Sequence, residues 1–596
     1  MSVSSIRSLL FVAIFSLPLS ATNLPCEEIQ KCTRLSDWAP ASITGYMEAR
    51  KAGSRLRSLL ESGQLKRLLD SNLGKTYLQS DGYSELLDNL DKVEKATGRK
   101  PLDLFDEILG SELLVASRLS FTGGQETLLL TRGKSEKALK AARKTLDEAV
   151  KTTIGFVIGT KKVYHEDHAI EQVEEVWFTF LGDILAITNS RKLMDETIDL
   201  AYGRTEKSVS RSPIYSKHSS DEDFLARAAL RPSFIPTLGS GLAKKMDEPV
   251  ESLLLSGIRG ALRGCELMTL SLDANWSGLD LGVVLHPDDR GIAEKYSPFF
   301  PKVARNEFQS NVQKRGVLGA INISRDFCEW WENSEEYLES QAAGSLAQLS
   351  AGLSMIFGGL NFQDEVLPQL GKTISLVVRN QDPEEGRPSP SPAIPGGALI
   401  LELKDARKYG RPFIVGFNSL VSIINITRMQ QDSNAPSMLV KPEKVAGVDC
   451  YKVDLGLPAD AENPGIEYNF SPSLAITGNR VIIGSTFDIV KFLVEESEKS
   501  VTDSQTEVLA FARDQLYIEG KSIHSILGKN LDFLAAQQVV EKGVGLGEAR
   551  SDLSNIREAL GFIRDLEFES FREKDAVRMK LRLGLNIGNT VVGPAD

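Results

Sequence analysis

The sequence predicts an α+β fold made of two successive copies of one unit, each a mainly antiparallel sheet covered by helices. Several segments alternate apolar and polar residues with the period of a strand, as over 267–273. Others place apolar residues at helical spacing, as Leu139, Ala142, Leu146 and Ala149 do. The order of these segments before residue 305 recurs after it, which indicates a tandem duplication.

Five landmarks recur in the same order in the two halves. The clearest pairs 180–200 with 475–495, where a strand, a Gly-Asp or Gly-Asn turn, a second strand, a small polar residue and a helix follow one another. Such turns between apolar runs predict tight hairpins. Ser190 in one copy and Ser485 or Thr486 in the other are placed to cap the following helix. The other four pairs are 43–50 with 317–324, 110–119 with 371–380, 127–133 with 398–404, and 267–285 with 566–585.

We therefore predict three parts in the chain: a leader over 1–21, a first repeat unit over 22–305 and a second over 306–596. Alternating strands favour antiparallel pairing with one face covered by helices and the other in water.

The first 21 residues have the features of a secretory signal peptide. A short N-terminal region whose one charged side chain is Arg7 precedes the apolar run 8–19, and Ser20-Ala21 supplies the small residues typical of a cleavage site. The run is too short to cross a bilayer, which needs about 20 apolar residues. No later segment reaches that length without interruption, so we expect no transmembrane helix in the mature chain. The protein is expected to be exported, to the periplasm or the extracellular space.

The overall charge excludes one class of partner. The 596 residues carry a formal charge of −12, which becomes −13 when Arg7 leaves with the leader. An acidic surface repels phosphate backbones, so we expect no nucleic-acid binding.

Cysteine is sparse for an exported chain, with five in all. Cys26 and Cys32 lie close together beside the expected new N-terminus, where an oxidising compartment would allow them to pair. The other three, Cys265, Cys328 and Cys450, lie in apolar surroundings and are interpreted as small buried hydrophobes.

The sequence offers few residues for catalysis. Among five histidines, only His165 and His168, in His-Glu-Asp-His, form a cluster with metal-binding chemistry. In an extended strand the two imidazoles would point to opposite faces, whereas a turn would bring them together, and a third ligand must come from elsewhere. No phosphate-binding loop and no Gly-x-Ser-x-Gly motif occurs. We assign no catalytic residue and expect no cofactor; whether the protein is an enzyme stays open.

Three segments carry a resemblance to a known family. They are ITGYMEARKAGSRLRSLL (43–60), LGDILAITNSRKLMDETID (181–199) and ALRPSFIPTL (229–238). Over nearly the whole mature chain, the protein resembles a bacterial family of exported proteins of unknown function. The resemblance implies export, and it supplies no activity or catalytic residue. The chain departs from the family's pattern before the first strand, where Trp38-Ala39-Pro40 stands in place of a Leu-Pro pair.

Two functional hypotheses follow. The first is a non-enzymatic envelope or periplasmic protein that binds or scaffolds an envelope protein, glycan or lipid. The alternative is a metal-assisted hydrolase at His165 and His168.

We expect the exported chain to begin at Thr22, because signal peptidase cleaves after a small residue that follows a short apolar run. N-terminal sequencing of the protein from an envelope or secreted fraction measures this. Ala21→Arg should leave the precursor uncut. An exported chain that still begins at Met1 would contradict the assignment.

Overall fold

A computed structural model describes residues 29–586 apart from several stretches within that range. Those stretches are 62, 72–73, 76–77, 110, 120–123, 143, 146–160, 213–223, 232–246, 276, 305–316, 382–389, 432–436, 458–464, 501–508 and 512. The predicted leader, Cys26, Leu146 and Ala149 lie outside the described residues.

Helices and antiparallel strands alternate along the described chain, which confirms the α+β class. Antiparallel pairing joins the strands within each unit described below, while β11 and β19 pair separately. The strands are β1 (Gly45–Arg50), β2 (Glu112–Leu119), β3 (Gln125–Arg132), β4 (Lys161–His165), β5 (His168–Val173), β6 (Val176–Leu181), β7 (Ile184–Thr188), β8 (Ala226–Leu230), β9 (Cys265–Asn275), β10 (Gly278–Pro287), β11 (Lys302–Ala304), β12 (Gly319–Ser324), β13 (Leu370–Arg379), β14 (Gly396–Leu403), β15 (Leu439–Val445), β16 (Val448–Asp454), β17 (Ser473–Thr477), β18 (Arg480–Gly484), β19 (Leu509–Phe511), β20 (Arg513–Glu519), β21 (Ile563–Glu573) and β22 (Ala576–Leu585). The α-helices are α1 (Ala52–Leu60), α2 (Gly63–Asp70), α3 (Asp81–Thr97), α4 (Pro101–Leu109), α5 (Arg191–Ala201), α6 (Pro249–Arg263), α7 (Phe327–Glu332), α8 (Ser334–Tyr337), α9 (Ser340–Ile356), α10 (Ala406–Gln431), α11 (Phe487–Ser500), α12 (Gly520–Lys529), α13 (Leu531–Lys542) and α14 (Leu546–Gly561).

The chain divides into two compact units. The first comprises Met1–Leu238, Glu266–Asn275 and Leu281–Val283, and the second comprises Gly239–Cys265, Trp276–Asp280 and Val284–Asp596. Helix α6 therefore belongs to the second unit, although it precedes the predicted repeat boundary. Compactness and sequence repetition are different properties, so the repeat units 22–305 and 306–596 stay a prediction.

Strand order is the same in both units. In the first unit the neighbours run β4-β5-β6-β7-β3-β2-β1-β8-β9. In the second they run β15-β16-β17-β18-β14-β13-β12-β20-β21-β22. We rank the strands by their place along each unit, leaving aside β11, β19 and also β10, whose residues are divided between the units. The first nine ranks then follow one order in both.

In the first unit, strands β3 and β7 are covered on both faces. On one face Leu130 and Ala186 pack in a core that includes Ile198 of α5. On the other, Ile187 packs in a core with Leu139, from the helical residues 136–142. All five positions of β7 are buried as a result. The expectation of one wet face is wrong for this part of the sheet, because helices lie on both sides of it.

In the second unit, β14 and β18 are covered in the same manner. Ile400 and Ile482 pack in a core with Val490 of α11. Val481 belongs to a different core that includes Phe417 of α10. Adjacent residues of β18 thus point to helices on opposite faces, as the two-residue period of a strand requires.

The two predicted hairpins and their helix caps are confirmed. Strand β6 pairs with β7, and β17 with β18, across tight turns. Gly182 and Gly478 have φ of 63° and 53°, the left-handed conformation that glycine adopts without steric cost. The hydroxyls of Ser190 and Thr486 each accept the backbone N–H three residues further on.

A row of charged side chains crosses the strands of the first unit. Glu48 of β1 lies opposite Arg227 of β8 and forms an ion pair with it, and both side chains are almost completely buried. Glu112 of β2 lies within 3.9 Å of Arg50 and 3.8 Å of Arg132 on its two neighbouring strands. Burial raises the pKa of Glu112, and the two arginines oppose that rise. Each buried acid is therefore matched with cations on adjacent strands.

We expect Arg227→Met to destabilise the protein by about 3–5 kcal/mol, because it leaves the Glu48 carboxylate buried without its cation. Equilibrium denaturation measures the free energy of unfolding. Arg211→Met is the matched control: it breaks an ion pair with Glu206 whose side chains are both exposed and should cost about 0–1 kcal/mol. The double variant Glu48→Gln/Arg227→Met should recover most of the loss. Equal losses from Arg227→Met and Arg211→Met would contradict the assignment.

Candidate functional site

The His-Glu-Asp-His segment forms the tip of the β4–β5 hairpin. His165 and His168 lie directly opposite each other across the hairpin, and Glu166 adopts a φ of 49° in the two-residue turn. Directly opposed residues share one face of an antiparallel pair, so both imidazoles point to the same side. Of the two alternatives left by the sequence, the turn is the one observed.

His165 is held by two carboxylates from helix α5. Its Nε2 lies 2.8 Å from Asp199 Oδ1, and its Nδ1 lies 3.3 Å from Asp195 Oδ1. The two acids lie four residues apart on α5, so they share a face of the helix. Arg191 donates to Asp195 at 2.8 Å, and Arg204 donates to Asp199 at 3.3 Å. Both imidazole nitrogens are thus directed at carboxylates that arginines also hold.

His168 is enclosed by two hydroxyls. Its Nε2 lies 2.7 Å from Thr179 Oγ1 and its Nδ1 lies 2.8 Å from the Tyr202 hydroxyl. The Thr179 hydroxyl donates to the Ala169 carbonyl oxygen at 2.8 Å, so it accepts from Nε2–H, and Nδ1 accepts from Tyr202. Burial, helped by the charges of Arg204 and His165, lowers the pKa of His168 to about 4. The ring is therefore neutral near pH 7.

This network fastens the hairpin tip to α5 and to β6. A metal ion at either histidine would have to displace a hydrogen-bonding partner that the protein already supplies. Among the residues that the structure describes, no three His, Cys, Asp or Glu side chains are grouped so as to hold a metal. The geometry supports a structural role for His165 and His168.

Cys32 is described without its proposed partner, because Cys26 lies outside the described residues, and their pairing stays a prediction. The Cys32 thiol donates to the Arg34 carbonyl oxygen at 3.1 Å, and burial raises its pKa to about 12. A thiol with so high a pKa is a poor nucleophile at neutral pH. Burial likewise raises the pKa of Cys450 to about 11 and that of Cys328. Cys450 is buried, whereas Cys265 and Cys328 are half-buried.

A second candidate site lies on helices α9 and α10 of the second unit. Both helices expose large apolar side chains, among which Met355 is 72% exposed, Ile426 59% and Met429 54%. We call this set the α9–α10 surface. It consists of Leu349 and Met355 from α9, and Val415, Leu420, Ile423, Ile424, Ile426 and Met429 from α10.

The two helices meet at Phe357, which follows the last residue of α9. Its ring packs edge-on against Phe413 of α10, with the ring centres 5.2 Å apart. Gly416 lies beside the same ring: a Cβ on it would be 3.4 Å from Phe357, at the limit of ordinary van der Waals contact. The Phe413 side of α10 continues through Phe417 and Val421 into the core. The exposed residues of α10 are therefore those that the sheet leaves uncovered.

The α9–α10 surface is also distinguished by charge. Helix α9 has no charged residue, and α10 has none that is acidic, although the chain holds 81 Asp and Glu. Arg407, Lys408 and Arg411 are exposed in the first two turns of α10, and Arg428 is half-buried near its end. The Asp405 side chain accepts the backbone N–H groups of Arg407 and Lys408 and so caps the helix. The absence of acids over 406–431 is the sequence signal that could have revealed this surface.

By length and composition, one helix within the described parts of the chain could cross a membrane. It is the segment Ala406–Gln430 of α10, with a mean hydropathy of 1.2 over its most apolar window and 22% of that window buried. The expectation of no transmembrane helix in the mature chain stays a prediction.

Comparison with known proteins gives a distant structural likeness alone. No family model matches the chain, and no curated protein matches it. Among solved structures, crystal form III of TP0453 matches with a TM-score of 0.25 and 10% identity, over 46% of this chain and 90% of TP0453. Crystal form IV matches with a TM-score of 0.23 and 10% identity, over 44% and 81% of the two chains.

We expect His168 to make the protein less stable in acid. Its pKa is 6.5 when unfolded and about 4 when folded, so its contribution is complete above pH 6.5 and is lost as pH falls towards 4. The loss amounts to about 3 kcal/mol. Denaturation between pH 7.5 and pH 4 measures it, and His168→Gln should flatten the slope over that range. His524→Gln, which removes a less buried histidine, serves as control; an unchanged slope in His168→Gln would contradict the assignment.

Proposed function

We propose that this chain is an exported, non-enzymatic binding or scaffolding protein of the cell envelope, and that it binds through the α9–α10 surface. The observation that carries the proposal is the exposure of eight large apolar side chains on two adjoining helices, because exposed apolar side chains grouped in this way are typical of interaction sites.

The residues with catalytic potential support the same function. His165 and His168 direct all four ring nitrogens at side chains of their own unit. Cys32 is half-buried, and burial raises its pKa. These groups are bonded within their own unit, whereas the apolar side chains of the α9–α10 surface are exposed to water.

Export is supported by the leader over 1–21 and by the resemblance to a family of exported proteins. We place the working protein in the periplasm or outside the cell. We also propose that the two units arose by duplication, which the common strand order supports. In that interpretation the acid-free pair of helices is a specialisation of the second copy: α3, in the first copy, carries five Asp and Glu over Asp81–Thr97.

We expect the immobilised protein to retain an envelope component from a detergent extract of the envelope fraction. The double variant Met355→Glu/Ile426→Glu should retain about tenfold less of it, because a charge in an apolar contact must be desolvated. Mass spectrometry of the retained lipid, glycan, peptide or protein measures this. The matched control is Val540→Glu on α13, which places the same charge at a residue that is 85% exposed but not on the α9–α10 surface.

Equal retention by the wild type and the double variant would contradict binding at this surface. A chain found in the cytoplasm with residues 1–21 intact would contradict export. Stoichiometric metal and hydrolase activity that His165→Ala/His168→Ala abolishes would instead favour the hydrolase alternative.

A further inference from the structure

We infer that the α9–α10 surface binds the surface of an anionic phospholipid bilayer, with the C-terminal half of α10 entering the interface between headgroups and acyl chains. This inference rests on the proposed function and names the chemistry of the partner.

The arrangement of apolar residues around α10 favours lipid over a rigid protein partner. Successive residues of an α-helix are about 100° apart, so Ile423, Ile424, Ile426 and Met429 together span about 220° of its circumference. All four are exposed. A rigid protein partner would have to match this broad arc, whereas fluid lipids adapt to the shape of the apolar face that a helix lying in the interface buries.

The charges of α9 and α10 favour binding to an anionic bilayer. Arg407, Lys408 and Arg411 are exposed at the N-terminal end of α10, and no acidic residue occurs in α9 or α10. Each Lys or Arg near an anionic leaflet contributes about fivefold to binding. Because the chain as a whole carries −12, an anionic bilayer repels most of its surface. The acid-free helices are therefore the part that such a bilayer attracts, and this fixes the orientation of binding.

The packing of α10 favours lying in the interface over crossing the bilayer. Phe413, Phe417 and Val421 are buried in the core of the second unit. Near the other end, the Asn425 side chain donates to the Met438 carbonyl oxygen at 2.9 Å and accepts the Met438 N–H at 2.8 Å. A crossing helix would have to expose those rings and break both hydrogen bonds. The half-buried Arg428 can keep its guanidinium at the headgroups while its stem covers apolar surface.

Vesicle flotation of the full chain tests the inference. Vesicles of phosphatidylcholine with about 30% phosphatidylglycerol should bind the wild type on the order of 100-fold more tightly than pure phosphatidylcholine vesicles at low salt, and added salt should weaken the binding. Ile426→Glu/Met429→Glu should lose about tenfold or more, because two charges enter the apolar interface. Arg407→Glu/Lys408→Glu/Arg411→Glu should lose the preference for anionic vesicles. Val540→Glu should bind like the wild type, and matching unfolding curves show that the variants fold.

Several results would overturn the inference. One is equal binding to both kinds of vesicle, or no binding to either. Another is undiminished binding by both sets of substitutions, because a different part of the chain would then be the one that binds the vesicles. A third is a wild type that binds no vesicles but self-associates in sedimentation, with the association lost in Ile426→Glu/Met429→Glu. That result would assign the surface to a second copy of the chain. If vesicles are not bound while an envelope component is still retained by the wild type and not by Met355→Glu/Ile426→Glu, the lipid inference fails and the proposed function stands.

Discussion

The structure depends on strands that are covered by helices on both faces. In the second unit, β17 and β18 have five residues each, about 17 Å of strand, whereas the 26 residues of α10 span about 39 Å. Helix α10 packs against β14, β17 and β18, with Phe413, Phe417 and Val421 in the core. The helix is longer than these strands, and the turns from Ile423 onwards are where its exposed apolar residues concentrate. The exposed surface is thus a consequence of how the core is covered.

Local features of the fold were predictable because they depend on neighbouring residues. The two Gly-containing hairpins and the caps at Ser190 and Thr486 follow from turn geometry and from the preference of hydroxyls for free backbone N–H groups. The cover on both faces of β7 was not predicted. Its sequence, ILAIT, is apolar or small throughout, and a run of five such residues does not distinguish a strand between two helix layers from one at the surface.

Whether His165 and His168 could act together depended on the conformation of the hairpin turn between them, which the sequence left open. Whether His165 and His168 share a face is decided by the two residues between them, and Glu166 takes a left-handed conformation that most side chains avoid. Their partners Asp195, Asp199 and Tyr202 come from α5 and its end, about thirty residues away in the chain, so no local pattern announces them. Once those partners are known, the neutral His168 and His165, which lies between two carboxylates, are explained as groups that fix a hairpin to a helix.

The two candidate sites, the histidine hairpin and the α9–α10 surface, differ in whether their side chains already have partners within the protein. In the hairpin network, each imidazole nitrogen lies within 3.3 Å of an oxygen from the same unit, so a ligand there competes with bonds already made. On α10, Ile426 and Met429 are each more than half exposed to solvent. Transfer of such groups out of water is favourable by about 25 cal/mol per Å² of apolar area. A surface of that kind gains by binding, whereas the histidine network would lose, and for this reason we propose the helices of the second unit, and not the hairpin, as the binding site.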